Sequence, residues 1–340
     1  MRSLLLLTLF YSAIACADWF PIDVKADGKT LSYTPLNKAR QAWRVCALLP
    51  QAKDRFWWGI SWGLAQEADR QGIKLGIYQA GGYEQSDKQQ RQFDDCLAQK
   101  ADAIIVAATA DATKALASRI AKAAANKIPV INLTNGLNLP QISAHILSNT
   151  EEMGQLAASH ILSLAGNSAP TVAWLPGPNK TEWVSNAEIG VQKILAPPKA
   201  KLLHGGYGVT ELETQMTLVR ALLAKQQPDY LLANAVAADA ASRLIKYGAQ
   251  KKMPIIAYYS NEETINALRQ GRIQAVVASQ SVIEARISID VAIRILENQP
   301  YAHIINPSAI LLTQSQLDRF NIKHVLSPAQ QWFVAKPLPK

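Results

Sequence analysis

The chain is poor in the residues that carry most enzyme chemistry. Among 340 residues only three are cysteine and five are histidine. His145, His160, His204, His303 and His324 are dispersed without metal-ligand spacing, so no metal site is expected. No C-x-x-C and no nucleophile elbow occurs. Gly81-Gly82 and Gly205-Gly206 each follow a strand-like run, yet neither has the remaining glycines of a dinucleotide or phosphate loop. An enzyme needs converging acid, base or nucleophilic groups. None can be assembled here, so neither catalysis nor a cofactor is expected. Lysine and arginine (35) exceed aspartate and glutamate (26), for a net charge of +9. The basic residues are scattered, and no helix pairs a Lys/Arg stripe with interleaved aromatics, which argues against nucleic acid. Past the first 15 residues no apolar run approaches membrane length.

What the chain does have begins with a leader. Met1-Arg2-Ser3 supplies a positive end, and the run from Leu4 to Ile14 is apolar but too short to span a bilayer. Ala15-Cys16-Ala17 is a small-x-small cleavage site, which predicts a signal peptide over residues 1–17, removal near Ala17 and an exported protein. The alternative is lipidation at Cys16, although Ala13 is a poor match for the leucine such a site prefers. Cys46 and Cys96 remain, an even pair in an oxidising compartment. They read either as a disulfide or as two buried thiols.

Residues 18–42 look irregular and hold Trp19, Phe20 and Tyr33. From Trp43 onwards strand and helix patterns alternate. Strand-like runs fall at 45–49, 74–79, 103–108, 130–133 and 145–147, with helical patterns near 54–71, 87–100 and 113–127. A second series has strands at 171–175, 201–205, 230–233, 255–258 and 273–278, with helices between them and a last helix near 282–297. This is an α/β chain of two doubly wound parallel-sheet lobes. Their carboxyl edges would enclose a cleft.

The organising stretch is Cys46-Ala47-Leu48-Leu49-Pro50 followed by Lys53-Asp54-Arg55-Phe56-Trp57-Trp58. An apolar strand feeds a polar turn, and Asp54 is placed to cap the helix that follows. Ile60, Leu64, Ala65 and Ala68 give that helix its buried face. Three large aromatics therefore stand where an α/β sheet opens to its ligand, although each could instead be core.

This stretch, with Ala80-Gly81-Gly82-Tyr83, Leu175-Pro176-Gly177-Pro178 and Leu326-Ser327-Pro328, resembles the sugar-type (type I) periplasmic binding proteins. The similarity runs from about residue 43 to the tail. It leans towards the branch that partners a membrane sensor histidine kinase in trimethylamine N-oxide respiration. The resemblance implies lobes of residues 43–148 plus 281–307 and 149–280 plus 308–335. Three hinge crossings would lie near Asn149, Gln280 and Pro307, and the helix at 282–297 would return to the first lobe. It also implies a small polar ligand such as an amine oxide, presented to a sensor kinase. The alternative is a receptor that hands a sugar or other solute to an ABC importer.

By the same resemblance an aromatic cage would hold a methylated cationic head, while hydroxyl, indole or amide donors meet the oxygen. Trp57, Tyr83 and Tyr259 match the motif positions, with Phe56 beside them, and Trp58, Trp183 and Tyr258 could add walls. Asp54, Asn149, Asn234 and Gln280, together with Asp111, Asn132 and Asn179, fall near strand ends and could contact a polar ligand. Two departures stand out. The family's Tyr-Trp pair is Phe56-Trp57 here, and the tryptophan expected at the first crossing is replaced by Ser148-Asn149-Thr150.

Overall fold

The computed structural model describes residues 19–53, 55–109, 112–246 and 252–340. The leader with its cleavage site and Cys16, the capping Asp54, and Asp111 lie outside the described residues. The strands are β1 (Ile22–Ala26), β2 (Lys29–Tyr33), β3 (Arg44–Leu49), β4 (Lys74–Gln79), β5 (Ala103–Val106), β6 (Val130–Leu133) and β7 (Ala144–Ile146), then β8 (Thr171–Leu175), β9 (Lys201–His204), β10 (Tyr230–Ala233), β11 (Ile255–Ala257), β12 (Ala275–Ala278), β13 (Ile304–Pro307) and β14 (Ile310–Leu312). The helices are α1 (Arg55–Gln71), α2 (Ser86–Ala98), α3 (Ala112–Ala125), α4 (Thr150–Ala165), α5 (Glu182–Leu195), α6 (Leu212–Lys225), α7 (Ala235–Lys246), α8 (Glu262–Arg269), α9 (Ser281–Leu296) and the short α10 (Gln314–Leu317).

Two sheets result. The first has eight strands in the order β2-β1-β13-β7-β6-β5-β3-β4, and the second has six in the order β14-β12-β11-β10-β8-β9. Their central strands pair in parallel. Every residue of β5 and β12 is buried. Such short, continuous apolar runs are what a sheet covered on both faces requires. Each sheet carries helices and its own core, so the chain has two α/β lobes.

The last long helix belongs with the first sheet despite its late position. α9 packs on α1, β5 and β6, and its Ile283, Ile287 and Val291 are buried in the first core, with Ile295 at the margin. Gly63 makes that approach possible: a β-carbon there would stand 2.7 Å from the carbonyl oxygen of Val282.

Two expectations need correction. Residues 19–42 are not irregular. Half of them form the β1–β2 hairpin, whose β1 pairs antiparallel with β13 and widens the first sheet. Asp27 and Gly28 both have positive φ (46° and 80°), as a two-residue primed turn demands. The segment is pinned by buried acids. Trp19 Nε1 donates to Glu67 at 2.9 Å, and the amide of Leu36 donates to Asp290 at 2.7 Å. The second correction concerns the tail, which does not remain with the second lobe to residue 335. Val325 packs in the second core. By Val334, whose amide donates to Ser61 Oγ at 3.0 Å, the chain is back on the first lobe. Lys336 then bridges Ile77 of β4, and Leu338 is buried beside Cys46. The reason is the open edge of β4, whose backbone groups need a partner. The tail is thus a fourth connection between the lobes.

Cys46 of β3 and Cys96 of α2 are both buried and form a disulfide across 50 residues of sequence. Unreduced mature protein should therefore show no alkylatable thiol at either position by mass spectrometry. Removing both should cost about 2–4 kcal/mol in denaturant melts. In the same assay Gly63→Ala should cost about 1–3 kcal/mol, because α1 or α9 must shift to admit the methyl group.

Candidate functional site

Eight loops and helix starts meet between the lobes, all from the carboxyl edges of the sheets or from the crossings. β3 delivers Phe56 and Trp57 at the start of α1, and β4 delivers Tyr83. β6 is followed by Thr134 and Asn135, and the first crossing supplies Ser148. From the second lobe come Trp183 of α5, Thr210 after β9, Tyr258 and Tyr259 after β11, and Ser279 after β12. Together they line a narrow cavity between the two sheets, the kind of position where small-molecule sites lie. Carboxyl-edge loops converge here because parallel strands all end on the same side.

Aromatic rings form most of the wall and cross the cleft. Phe56 of the first lobe meets Tyr259 of the second edge to face, 6.3 Å between centroids. Trp57 stands 5.3 Å from Phe56 and 6.5 Å from Tyr83. Trp183 stands 5.7 Å from Tyr259. None of the described lining residues is charged. Two lining polar atoms are buried without a hydrogen-bond partner among the described residues: the indole nitrogen of Trp183 and the hydroxyl of Ser279. An unpaired buried donor costs roughly 1–3 kcal/mol, so the indole favours a ligand that accepts, while the hydroxyl can donate or accept.

Behind the wall lies one fully buried acid. Glu284, in the first turn of α9, accepts the Thr134 hydroxyl at 2.7 Å and that of Ser148. Burial pushes its carboxyl above the ordinary carboxylate range, and the two hydroxyl donors pull it part of the way back.

Four of the expected site residues, Phe56, Trp57, Tyr83 and Tyr259, are brought together here. Trp57 is nevertheless only 1% exposed and packs in the first core. It is core and wall at once. Trp183 and Tyr258 line the cavity too, but the Tyr258 hydroxyl is committed to the carbonyl of Pro176. Trp58 does not line it. Its indole donates to Ala52 at 2.7 Å, Arg55 covers its face, and it packs at a tilt against the exposed Trp332.

The remaining polar candidates among the described residues are not on this wall. Asn149 caps α4 through the amide of Glu152. Asn234 holds α7 through the amide of Ala237 and donates to Leu175 and Gln215. Gln280 ties the second crossing to the third by donating to Ser308 at 2.9 Å. Strand-end amides are in demand for capping helices, and that role has claimed Asn149 and Asn234, while Gln280 bridges two crossings. Thr134, Ser148 and Glu284 escaped the sequence reading. Their only signal was position, two at the ends of β6 and β7 and one in the first turn of a helix.

Residues 45–300 match the family described as periplasmic binding protein domain. The periplasmic protein TorT of Escherichia coli K12 is 28% identical over 298 residues, covering 87% of this chain and 84% of TorT. The ribose import binding protein RbsB of Haemophilus influenzae is 24% identical over 70% of this chain and 80% of its own length. Among solved structures, an ABC transporter solute-binding protein from Bradyrhizobium sp. BTAi1 with bound Bis-Tris is 33% identical. It covers 94% of this chain and 99% of its own, with a TM-score of 0.83. The complex of TorT with the TorS sensor domain in the presence of TMAO shares the fold at 23% identity. Its TM-score is 0.79, over 86% of this chain and 100% of the other. With two α/β lobes around a central cavity and a family match over most of its length, the chain belongs to the periplasmic binding proteins.

Proposed function

We propose that this chain is an exported, non-enzymatic binding protein that encloses trimethylamine N-oxide, or a related small polar solute, and presents it to a membrane sensor histidine kinase. In this reading residues 1–17 direct export. Phe56, Trp57, Tyr83, Trp183 and Tyr259 form the cage, and the three crossings near residues 149, 280 and 307 form the hinge. One observation carries it: an aromatic cavity without described charged lining whose unpaired polar atoms include the Trp183 N–H. A methylated cationic head is attracted to aromatic faces, and its oxide oxygen needs donors of this kind. The kinase partner is supported by the likeness to TorT over most of both chains.

A second reading, a receptor delivering solute to an ABC importer, is favoured by the 33% identity to the Bradyrhizobium solute-binding protein. A sugar would present several hydroxyls, and the described wall offers one amide side chain, Asn135, already donating to Ala108 at 2.7 Å.

Thermal-shift and calorimetric titration with amine oxides, sulfoxides, betaines and pentoses separates the two. The first reading expects a midpoint rise with trimethylamine N-oxide and none with pentoses. The reverse pattern supports the importer. Trp183→Phe keeps the ring and removes the donor, so affinity for the amine oxide should fall about tenfold with little change in melting. Trp57→Ala should instead lower stability by about 3–5 kcal/mol, the cost of truncating a buried tryptophan. Thermal melts of the two variants side by side check that contrast.

A further inference from the structure

Glu284 has no cleft exposure of its own, yet both of its described hydrogen-bond partners are cavity-wall residues. Thr134 Oγ1 donates to one carboxyl oxygen and Ser148 Oγ to the other. With Glu284 ionised its carboxylate is an acceptor only, so both hydroxyls must donate to it. The consequence lies on the other side of the wall. A hydroxyl has one proton, and each of these protons points away from the cavity towards Glu284. What Thr134 and Ser148 turn to the ligand is therefore oxygen lone pairs, backed by a buried negative charge in a low-dielectric setting. The second lobe contributes the opposite polarity, the unpaired N–H of Trp183. The cavity is polar along one direction, with an acceptor face at Thr134 and Ser148 and a donor at Trp183.

We propose that Glu284, acting through the hydroxyls of Thr134 and Ser148, is the specificity-determining residue that makes the cavity select ligands with a positively charged, alkylated head over neutral molecules of the same shape. The proposal rests on reading the cavity as the ligand site, and it deepens that reading by fixing the charge class. A carboxylate in direct contact would bind a cation and also demand full desolvation of the pair. Placed one hydroxyl behind the wall, it supplies field without a group that must be stripped of water at each binding event. Glu284 is thus a positioning residue for charge rather than a contact.

The test uses full-length mature protein and two probes of similar bulk, tetramethylammonium ion and neutral tert-butanol, titrated by intrinsic tryptophan fluorescence. Wild-type protein should favour the cation at least tenfold, and Glu284→Gln should reduce that ratio at least tenfold. Thr134→Val removes one relay hydroxyl at nearly constant volume and should lower the same ratio, which keeps the test alive should Glu284→Gln not fold. Restoration of the preference by Glu284→Asp would add support, because a mere packing role would not track charge. No preference in wild-type protein, including binding of neither probe, overturns the proposal. So does an unchanged ratio in folded Glu284→Gln. Cation preference without affinity for trimethylamine N-oxide would overturn the ligand named above and uphold the role of Glu284.

Discussion

The contact of Phe56 with Tyr259 across the cleft is the interaction on which the site depends. Each ring comes from a different lobe and a different core, and only when the lobes approach do the cage walls face one another. An aromatic pair of this kind contributes about 0.5–1.5 kcal/mol beyond its area. Ion pairs also span the gap, Lys53 with Glu211 at 3.1 Å and Arg55 with Glu262. The first has both partners more than half exposed, and such pairs contribute about 0–1 kcal/mol. Closure therefore has modest support from the protein alone. A ligand touching both walls adds the difference, which is how a binding protein converts occupancy into shape.

The hinge is constrained more tightly than its three expected crossings imply. Gln280 links the second crossing to the third through Ser308. Ser148, at the first, is linked to α9, which follows the second, through Glu284. Ser281 donates to the carbonyl of Val325 at 3.0 Å, just before the tail leaves the second lobe. The crossings thus share side chains, so a rotation of one lobe must move them together. Glu284 stands in both sets, as a member of the hinge and as the charge behind the cavity wall.

Much of this was legible in the sequence, and the parts that were not share a physical cause. The parallel strands were visible because doubly covered sheets need uninterrupted apolar runs, as in residues 103–106 and 275–278. Phe56 and Trp57 were visible because large aromatics after a strand stand at the carboxyl edge, and Tyr83 and Tyr259 were visible through the family resemblance. The hairpin at residues 22–33 was missed although Ile22, Val24 and Ala26 alternate ahead of Asp27-Gly28, because its pairing partner β13 lies 280 residues later. The fourth connection was missed for the same reason: nothing in residues 334–338 reveals that β4 has an open edge. Asn149, Asn234 and Gln280 make hydrogen bonds within the protein, and sequence does not distinguish an amide that caps a helix or ties two crossings from one that meets a ligand.

The most direct measurement is a crystal structure of the mature protein grown with saturating trimethylamine N-oxide. The account predicts the ligand among Phe56, Trp57, Tyr83 and Tyr259, its oxygen within hydrogen-bonding distance of the Trp183 indole and its methyls turned towards Thr134 and Ser148. A ligand bound elsewhere, or the cage holding none at saturation, would contradict it.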